Sequence, residues 1–580
     1  MSGENPLGLL KGNILAHAFV NSMSEDQVET VVRKYALQNA VFFKGQANPK
    51  AVAGKVLGER PELRSRSAEV LEMVGSIVAE VNSLGLERQT AALADMDPAL
   101  MVKQKKERRF ELPELEGSEK VVMRIAPGPS GPLHIGHSRV AILNDEYVKR
   151  YDGVLINRLE DTNPEKIDPD AYDMIPEDLE WLGVKVHSTV RQSERFHLYY
   201  DTTRKLIEMG KAFVCICPGD SLKDLKAEMR GCPCRELTVE ENLERFDRLL
   251  SNHYSEGEAV AVIKTDIAHP NPALRDFVAL RIVEHPHPRT GDKFNVYPMM
   301  NLSVAVDDHL MGMTHVIRGK DHLNNTHRQE YIYDYMGWER PRFYHYGLVN
   351  IPDTVLKTSL IRQSIKEGDY SGWDDVRTGT LRALQRRGIT PDAIRRYWIE
   401  GGIKSVDMQF SWENLFSMNR DVIDDASNRY FYVPSPQTLR FHGIDRVESH
   451  APLHPDHPER GERHIIIREG DDVLLSPEDM ALLQGSGMVR LKDLCNIELQ
   501  DGAHYAGTDL SVLKKGVKVV QWVDQGSAPM EILMPDGSIS SGRVERALMA
   551  EKGDTVQLER FGFVRLHHHG DKVSAVFAHR

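Results

Sequence analysis

The sequence predicts a multi-domain α/β protein: a helical N-terminal extension, a parallel-sheet domain interrupted by an insertion, a helical connecting subdomain and C-terminal β-barrels. Three observations carry that expectation. Just past the first fifth of the chain, the apolar and β-branched run Val121 to Ile125 leads through a Gly/Pro-rich loop into helical spacing at Val140, Ile142, Leu143 and Tyr147. A second strand-like run, Val154 to Glu160, follows, and strand–helix–strand of this kind is the βαβ unit of a parallel sheet. Beyond residue 430 or so, short alternating runs and turns such as Met534-Pro-Asp-Gly537 suggest β-barrels.

Each element can be justified in order. Residues 1–105 show apolar spacing of three and four around Val28, Val31, Val32 and Tyr35, and again over Ala68 to Val81. A charged junction at Lys103 to Arg109 precedes the first half of the parallel-sheet domain, 106–212. Residues 213–295 leave that pattern, hold four cysteines and a strand-like Ala259 to Lys264, and are expected to be an inserted domain. The sheet resumes over 296–360, a helical connecting subdomain occupies 361–430, and the β-barrel part runs over 431–580.

Composition narrows the function. Charged residues make up 27% and hydrophobic ones 41% of the 580 residues, as in ordinary globular proteins. No apolar run is long enough to cross a bilayer, and the N-terminus has no basic region leading into an apolar segment, so a cytoplasmic protein without a membrane partner is expected. A formal charge of −13 argues against indiscriminate nucleic-acid binding but leaves room for local basic faces. The candidates are Lys103, Lys105, Lys106, Arg108 and Arg109, then Arg382, Arg386, Arg387, Arg395 and Arg396; each alone reads more readily as a solvated helix face.

The loop after the first strand reads Arg124-Ile-Ala-Pro-Gly-Pro-Ser-Gly-Pro-Leu-His-Ile-Gly-His137. His134 and His137, three apart, lie on one side of the first helical turn. Gly136 between them removes a side chain, and a helix N-terminus favours anions, so phosphates of a nucleotide fit here. A plain strand–turn–helix with two surface histidines is the competing reading. Further on, Cys215-Ile-Cys217 and Cys232-Pro-Cys234 can present four thiolates to one tetrahedral ion, with zinc the leading occupant and four ordinary thiols the alternative. His567, His568 and His569 lie in a strand-like run and read as surface histidines.

The string from Arg124 to His137 resembles the HIGH signature of class I aminoacyl-tRNA synthetases, in the form of the glutamyl/glutaminyl branch. Arg158-Leu-Glu-Asp-Thr-Asn-Pro164 and Thr314 to Glu330 are similar to that family's following motifs. The helical extension and β-rich C-terminal half resemble the archaeal type of glutamyl-tRNA synthetase. The resemblance implies a Rossmann-type catalytic domain that joins L-glutamate to ATP with Mg2+ and passes the glutamyl group to tRNA(Glu). Pro127, Gly128, His134, Gly136, His137 and Lys357 would contact ATP, with His134, His137 and Lys357 catalytic. Arg124 and Arg318 would grip the substrate's side-chain carboxylate and Glu160 its α-amino group; Arg124 pairing with Glu160 or Asp161 is the structural alternative. Cys215, Cys217, Cys232 and Cys234 would hold structural Zn2+.

Two departures stand out. Met300 occupies the position of a substrate-facing tyrosine, while Tyr297 would point to the opposite strand face; and the KMSKS-like loop reads Val355-Leu-Lys-Thr-Ser-Leu360, with Lys357 out of register. Archaeal-type members often also charge tRNA(Gln), which links them to a tRNA-dependent amidotransferase, and the family expectation is a monomer. The arginines of 382–396 would steer tRNA, and the C-terminal barrels would meet the anticodon. A glutaminyl enzyme and a non-charging tRNA-binding paralogue are the alternatives; Ile317 to His322 looks glutamyl.

Overall fold

The computed structural model describes residues 25–43, 45–60, 63, 66–101, 112–117, 119–569 and 572–580. The chain divides into two compact units, 1–109 and 110–580. Among the described residues, the first contains four α-helices: α1 (Glu25–Phe42), α2 (Pro49–Glu59), α3 (Ser67–Ser83) and α4 (Leu86–Met96). Val28, Val32, Tyr35 and Ala36 of α1 share one core with Val70, Val74, Ile77 and Val81 of α3. Spacing of three and four puts each set on a single helix face, which is why neither helix needs another reason to form. The basic run Lys103 to Arg109 lies outside the described residues.

In the second unit, β1 (Val122–Ile125), α5 (Ile135–Arg150), β2 (Val154–Leu159), α6 (Ala171–Trp181) and β3 (Ser188–Arg191) build a parallel ladder in the order β1-β2-β3. After α7 (Phe196–Glu208) the chain leaves it. The strands β4 (Ala212–Cys215), β5 (Val260–Ile263), β6 (Phe277–Ile282) and β7 (Val296–Pro298) form an antiparallel sheet with α8 (Gly219–Ala227) and α9 (Val239–Leu250) in its connections. The chain returns through α10 (Met300–Leu310), β8 (His315–Gly319), α11 (Leu323–Met336) and β9 (Arg342–Tyr346), with β8 and β9 parallel. Thr314, just ahead of β8, donates its N–H to Val122 O at 3.0 Å and accepts from Val122 N at 2.8 Å. The two ladders therefore start side by side, and successive strands depart from that seam in opposite directions. Such a switch point leaves a crevice beyond the carboxyl ends of the central strands, here Ile125 and Gly319.

Helices α12 (Thr358–Glu367), α13 (Leu381–Arg387), α14 (Pro391–Gly401) and α15 (Trp412–Ile423) follow. Arg139 of α5, only 1% exposed, ties them to the sheet: it donates to Gly347 O at 2.9 Å and Gly402 O at 2.8 Å and stacks on Tyr346. Trp398 of α14 is fully buried and donates to Ser138 Oγ at 2.7 Å. The arginines of this stretch are mostly engaged internally. Arg382 pairs with Glu177 and Asp178, Arg386 with Asp374, and Arg395 with Asp145 and Glu146, while Arg387 is buried and donates to Ala578 O. Of the five, Arg396 alone is exposed, so this run is not the free basic face that its spacing suggests.

Beyond Arg429 the chain forms two seven-stranded, barrel-like sheets with separate cores, one around Phe441, Ile497 and Trp522 and one around Ile532, Val544 and Val564. The Met534–Gly537 turn joins the strands Ala528–Leu533 and Ile539–Val544, with Gly537 N donating to Met534 O at 2.9 Å.

Candidate active site

His134 is the N-cap of α5, where Asn, Asp or Ser is usual. Its Nδ1 accepts from Gly136 N at 3.0 Å and His137 N at 3.3 Å, while His137 Nδ1 accepts from His134 N at 3.4 Å. With both Nδ1 atoms accepting, each ring carries its proton on Nε2. The rings stack with centroids 3.7 Å apart. Burial drives both pKa values down, that of His134 well below the ordinary range with a contribution from His137, and that of His137 to about 4. They are therefore neutral donors at pH 7 and not cations. Gly136 also serves the helix cap: a Cβ there would lie 2.9 Å from His134 Cε1, so the glycine makes room for the capping imidazole.

A cavity of about 250 Å³ opens at the switch point. Arg124, Pro127, Gly128, His137, Glu160, Met300, Arg318 and Tyr346 are among its lining residues, so the predicted site residues from four separate segments meet. Arg124 donates Nε to Asp308 Oδ1 at 3.1 Å, and Arg158 donates to the same oxygen at 2.6 Å and to Glu160 at 3.1 Å. Asp308 is fully buried; burial alone would raise its pKa, but the charges and hydrogen bonds of Arg124 and Arg158 hold it below the usual carboxylate range. Glu160 goes the other way, raised by burial despite Arg158 and Arg124. Arg318, 6% exposed, donates to Thr326 and Gln329, yet its Nε and a second terminal nitrogen have no partner. Burial, with the nearby charge of Arg124, lowers its pKa to about 10. Among the described residues, Arg124, Arg158 and Arg318 have Asp308 and Glu160 as their carboxylate partners, while Asp307, whose charge also reaches Arg158, is paired with Arg195, which leaves one buried cation unmatched and its donors open. An anionic guest resolves that deficit; a neutral one does not.

In the insertion, β4 ends at Cys215. The Sγ atoms of Cys215 and Cys232 are 3.7 Å apart, as are those of Cys217 and Cys234, and all four lie within 4.8 Å of one another. A tetrahedron with zinc–sulfur distances of about 2.3 Å has edges of about 3.8 Å; the two 3.7 Å separations match those edges, and the remaining four are at most about 1 Å longer. Helix α8, between the two pairs, buries none of its own residues.

The family model for the catalytic domain of class I tRNA synthetases (E and Q) matches residues 120–425, and that for their anti-codon binding domain matches residues 427–512. Glutamate–tRNA ligases of Methanocorpusculum labreanum and Methanocaldococcus jannaschii are 47% and 48% identical, covering 96% and 95% of this chain and 100% of each relative. This chain belongs to the class I tRNA synthetases for E and Q. A crystal structure of a glutamate-tRNA synthetase from Elizabethkingia anophelis aligns at 23% identity over 53% of this chain and 71% of that one, with a TM-score of 0.39.

In this class I synthetase, several residues depart from the sequence-based expectations. Lys357 is exposed at the N-cap of α12 and is not among the cavity-lining residues; its neighbour Thr358 instead meets Ser130 of the HIGH loop at 3.0 Å. Asp161 takes no part in holding Arg124: it accepts from Tyr172, Ser193 N and Ser193 Oγ. Met300 does line the cavity, as the first residue of α10, while Tyr297 is buried against Phe196 in the core of the insertion. Asp307 and Asp308 were not singled out from sequence, although an acidic doublet ending the apolar run Leu302 to Val306 is a signal. Asp307 is also fully buried and accepts from Gln192, Arg195 and Tyr199.

The double use of His134 can be separated. Asparagine there keeps an acceptor for the Gly136 and His137 N–H groups but lacks the Nε2 donor. His134→Asn is expected to melt like the wild type, and His134→Ala to lose about 1 kcal/mol. Both should slow ATP–pyrophosphate exchange by about 10²–10³-fold. Wild-type exchange in His134→Asn would leave His134 a helix cap only.

Proposed function

We propose that this chain is a glutamate–tRNA ligase, which activates L-glutamate with ATP to glutamyl-adenylate and transfers the glutamyl group to the 3′ end of tRNA(Glu). The observation that carries this reading is the unmatched buried cation at the switch-point cavity. The α-carboxylate of glutamate attacks the α-phosphorus of ATP and pyrophosphate leaves. The terminal ribose hydroxyl of tRNA then attacks the adenylate carbonyl and AMP leaves. No covalent enzyme intermediate is required, so the protein's contribution is positioning and charge stabilisation.

Each residue has a task that its surroundings permit. The Nε2–H groups of His134 and His137 donate to phosphate oxygens at the N-terminus of α5, where backbone N–H groups also favour anions. Pro127, Gly128 and Gly136 shape the approach of the nucleotide. Arg318 and Arg124 bind the side-chain carboxylate of glutamate; a guanidinium offers parallel donors that a carboxylate can fill and an amide cannot. Glu160 receives the α-amino group, and Met300 supplies apolar wall in place of a hydroxyl. ATP would bring Mg2+ with it, whose charge would offset that of the departing pyrophosphate. Lys357 sits on the adjacent loop and would contact pyrophosphate after that loop closes.

We infer, further, that Cys215, Cys217, Cys232 and Cys234 hold a structural zinc ion, which would secure the loop carrying α8 to the inserted sheet. Elemental analysis of Cys232→Ser should then show one zinc fewer per chain than wild type, with faster proteolysis between residues 216 and 232. Unchanged zinc content would refute the site.

The activity is tested by aminoacylation of separate tRNA(Glu) and tRNA(Gln) with labelled glutamate and labelled glutamine. Glutamate on tRNA(Glu) is the expected product, and glutamate on tRNA(Gln) as well would mark a relaxed enzyme. Transfer of glutamine, or of neither amino acid, contradicts the proposal.

A further inference from the structure

The hairpin of strands Arg446–Pro452 and Glu462–Arg468 sorts its side chains by alternation. Ser449, Ala451, Arg463 and Ile467 are buried on one face, while Glu448, His450, Glu462 and His464 are exposed on the other. His450 and His464 are directly opposite in register, and their rings stack with centroids 4.4 Å apart. One oxygen of Glu448, Oε2, lies 2.8 Å from His464 Nε2 and 3.5 Å from His450 Nε2. One ligand atom from each of the three residues falls within 4.8 Å of the others. The far side of the His450 ring is also held, since Nδ1 meets Glu462 Oε1 at 2.7 Å. Arg446 engages the other oxygen of Glu448.

We propose that Glu448, His450 and His464 form a surface binding site for a divalent first-row transition-metal ion of the zinc type, separate from the four cysteines. Four features support it. The donor set, two imidazoles and one carboxylate, is the borderline nitrogen–oxygen chemistry that zinc, copper and nickel prefer to magnesium or calcium. The spacing fits, because a tetrahedral ion about 2.05 Å from each donor needs donors about 3.4 Å apart, between the two observed separations. A proton on His450 Nδ1, held by Glu462, leaves the Nε2 lone pair facing the other two donors, and a carboxylate behind a metal-bound imidazole is the arrangement that fixes such ligands. The strands also fix the donors' placement, since both histidines stand on adjacent strands with their backbones paired. On binding, the ion would displace the proton that His464 Nε2 now shares with Glu448, with release to solvent or transfer to Nδ1. Water would complete the coordination, and the two strands would be clasped at their outer face.

Full-length chain dialysed against micromolar zinc chloride provides the test, with zinc per chain measured by elemental analysis. Wild type should retain one zinc ion more than the His450→Ala/His464→Ala double variant, whatever the four cysteines hold in common in both. Glu448→Gln, which keeps the shape of the side chain, should weaken this zinc by about tenfold or more. Because all three side chains are exposed, circular dichroism melts of the variants are expected to overlay the wild type; should the double variant melt early, Glu448→Gln decides. An anomalous signal at the zinc edge between His450 and His464 would support the site directly. Equal zinc content in wild type and double variant, or an unaltered affinity in Glu448→Gln, overturns the proposal.

Discussion

Asp308 is the residue on which the site depends. It has no exposed surface, and one of its oxygens accepts from both Arg124, at the centre of β1, and Arg158, near the end of β2. Arg124 has no other carboxylate partner among the described residues, and Arg158 has only Glu160 besides, so loss of Asp308 breaks a buried ion pair at a cost of about 3–5 kcal/mol. Asp308 sits in the last turn of α10, the first helix after the insertion, so its bonds to β1 and β2 link the two halves of the catalytic domain. Thr314, six residues on, adds a backbone link to β1. The ion pairs that line the cavity and the bonds that join the two ladders therefore lie within the same few residues.

Charge balance then defines the guest. Glu160 and Asp308 satisfy part of the positive charge of Arg124, Arg158 and Arg318, and the guanidinium of Arg318 keeps two buried nitrogens without partners. Buried donors in this condition are costly for the empty protein and are repaid when a carboxylate arrives. The histidine pair differs in kind: burial holds His134 and His137 neutral, so what they present at the N-terminus of α5 is directed N–H donors and not mobile cations.

Much of this was legible in the sequence. Periodicity revealed α1, α3, β1 and β2, because each buries one face or is buried on both. The convergence of Arg124, Glu160, Met300 and Arg318 followed from motif resemblance, and the cysteine pairs announced themselves by spacing. Other features were hidden for physical reasons. Asp308 acts across 184 residues of chain, and no local pattern reports a partner that distant. The part Gly136 plays in the helix cap depends on a ring folding back over it. The arginines around 382–395 looked like a charged face because their partners, Asp145, Glu177 and Asp374, come from other helices and loops.

Asp308 holds Arg124 and Arg158 in their buried places beside the cavity. The most direct test of that role is glutamate-dependent ATP–pyrophosphate exchange by Asp308→Asn, measured alongside its melting curve. The expected result is a folded protein whose kcat/KM for glutamate falls by about 10²-fold or more, since Arg124 and Arg158 lose a shared buried anion worth about 3 kcal/mol. Exchange at the wild-type rate with an unchanged KM for glutamate would contradict it.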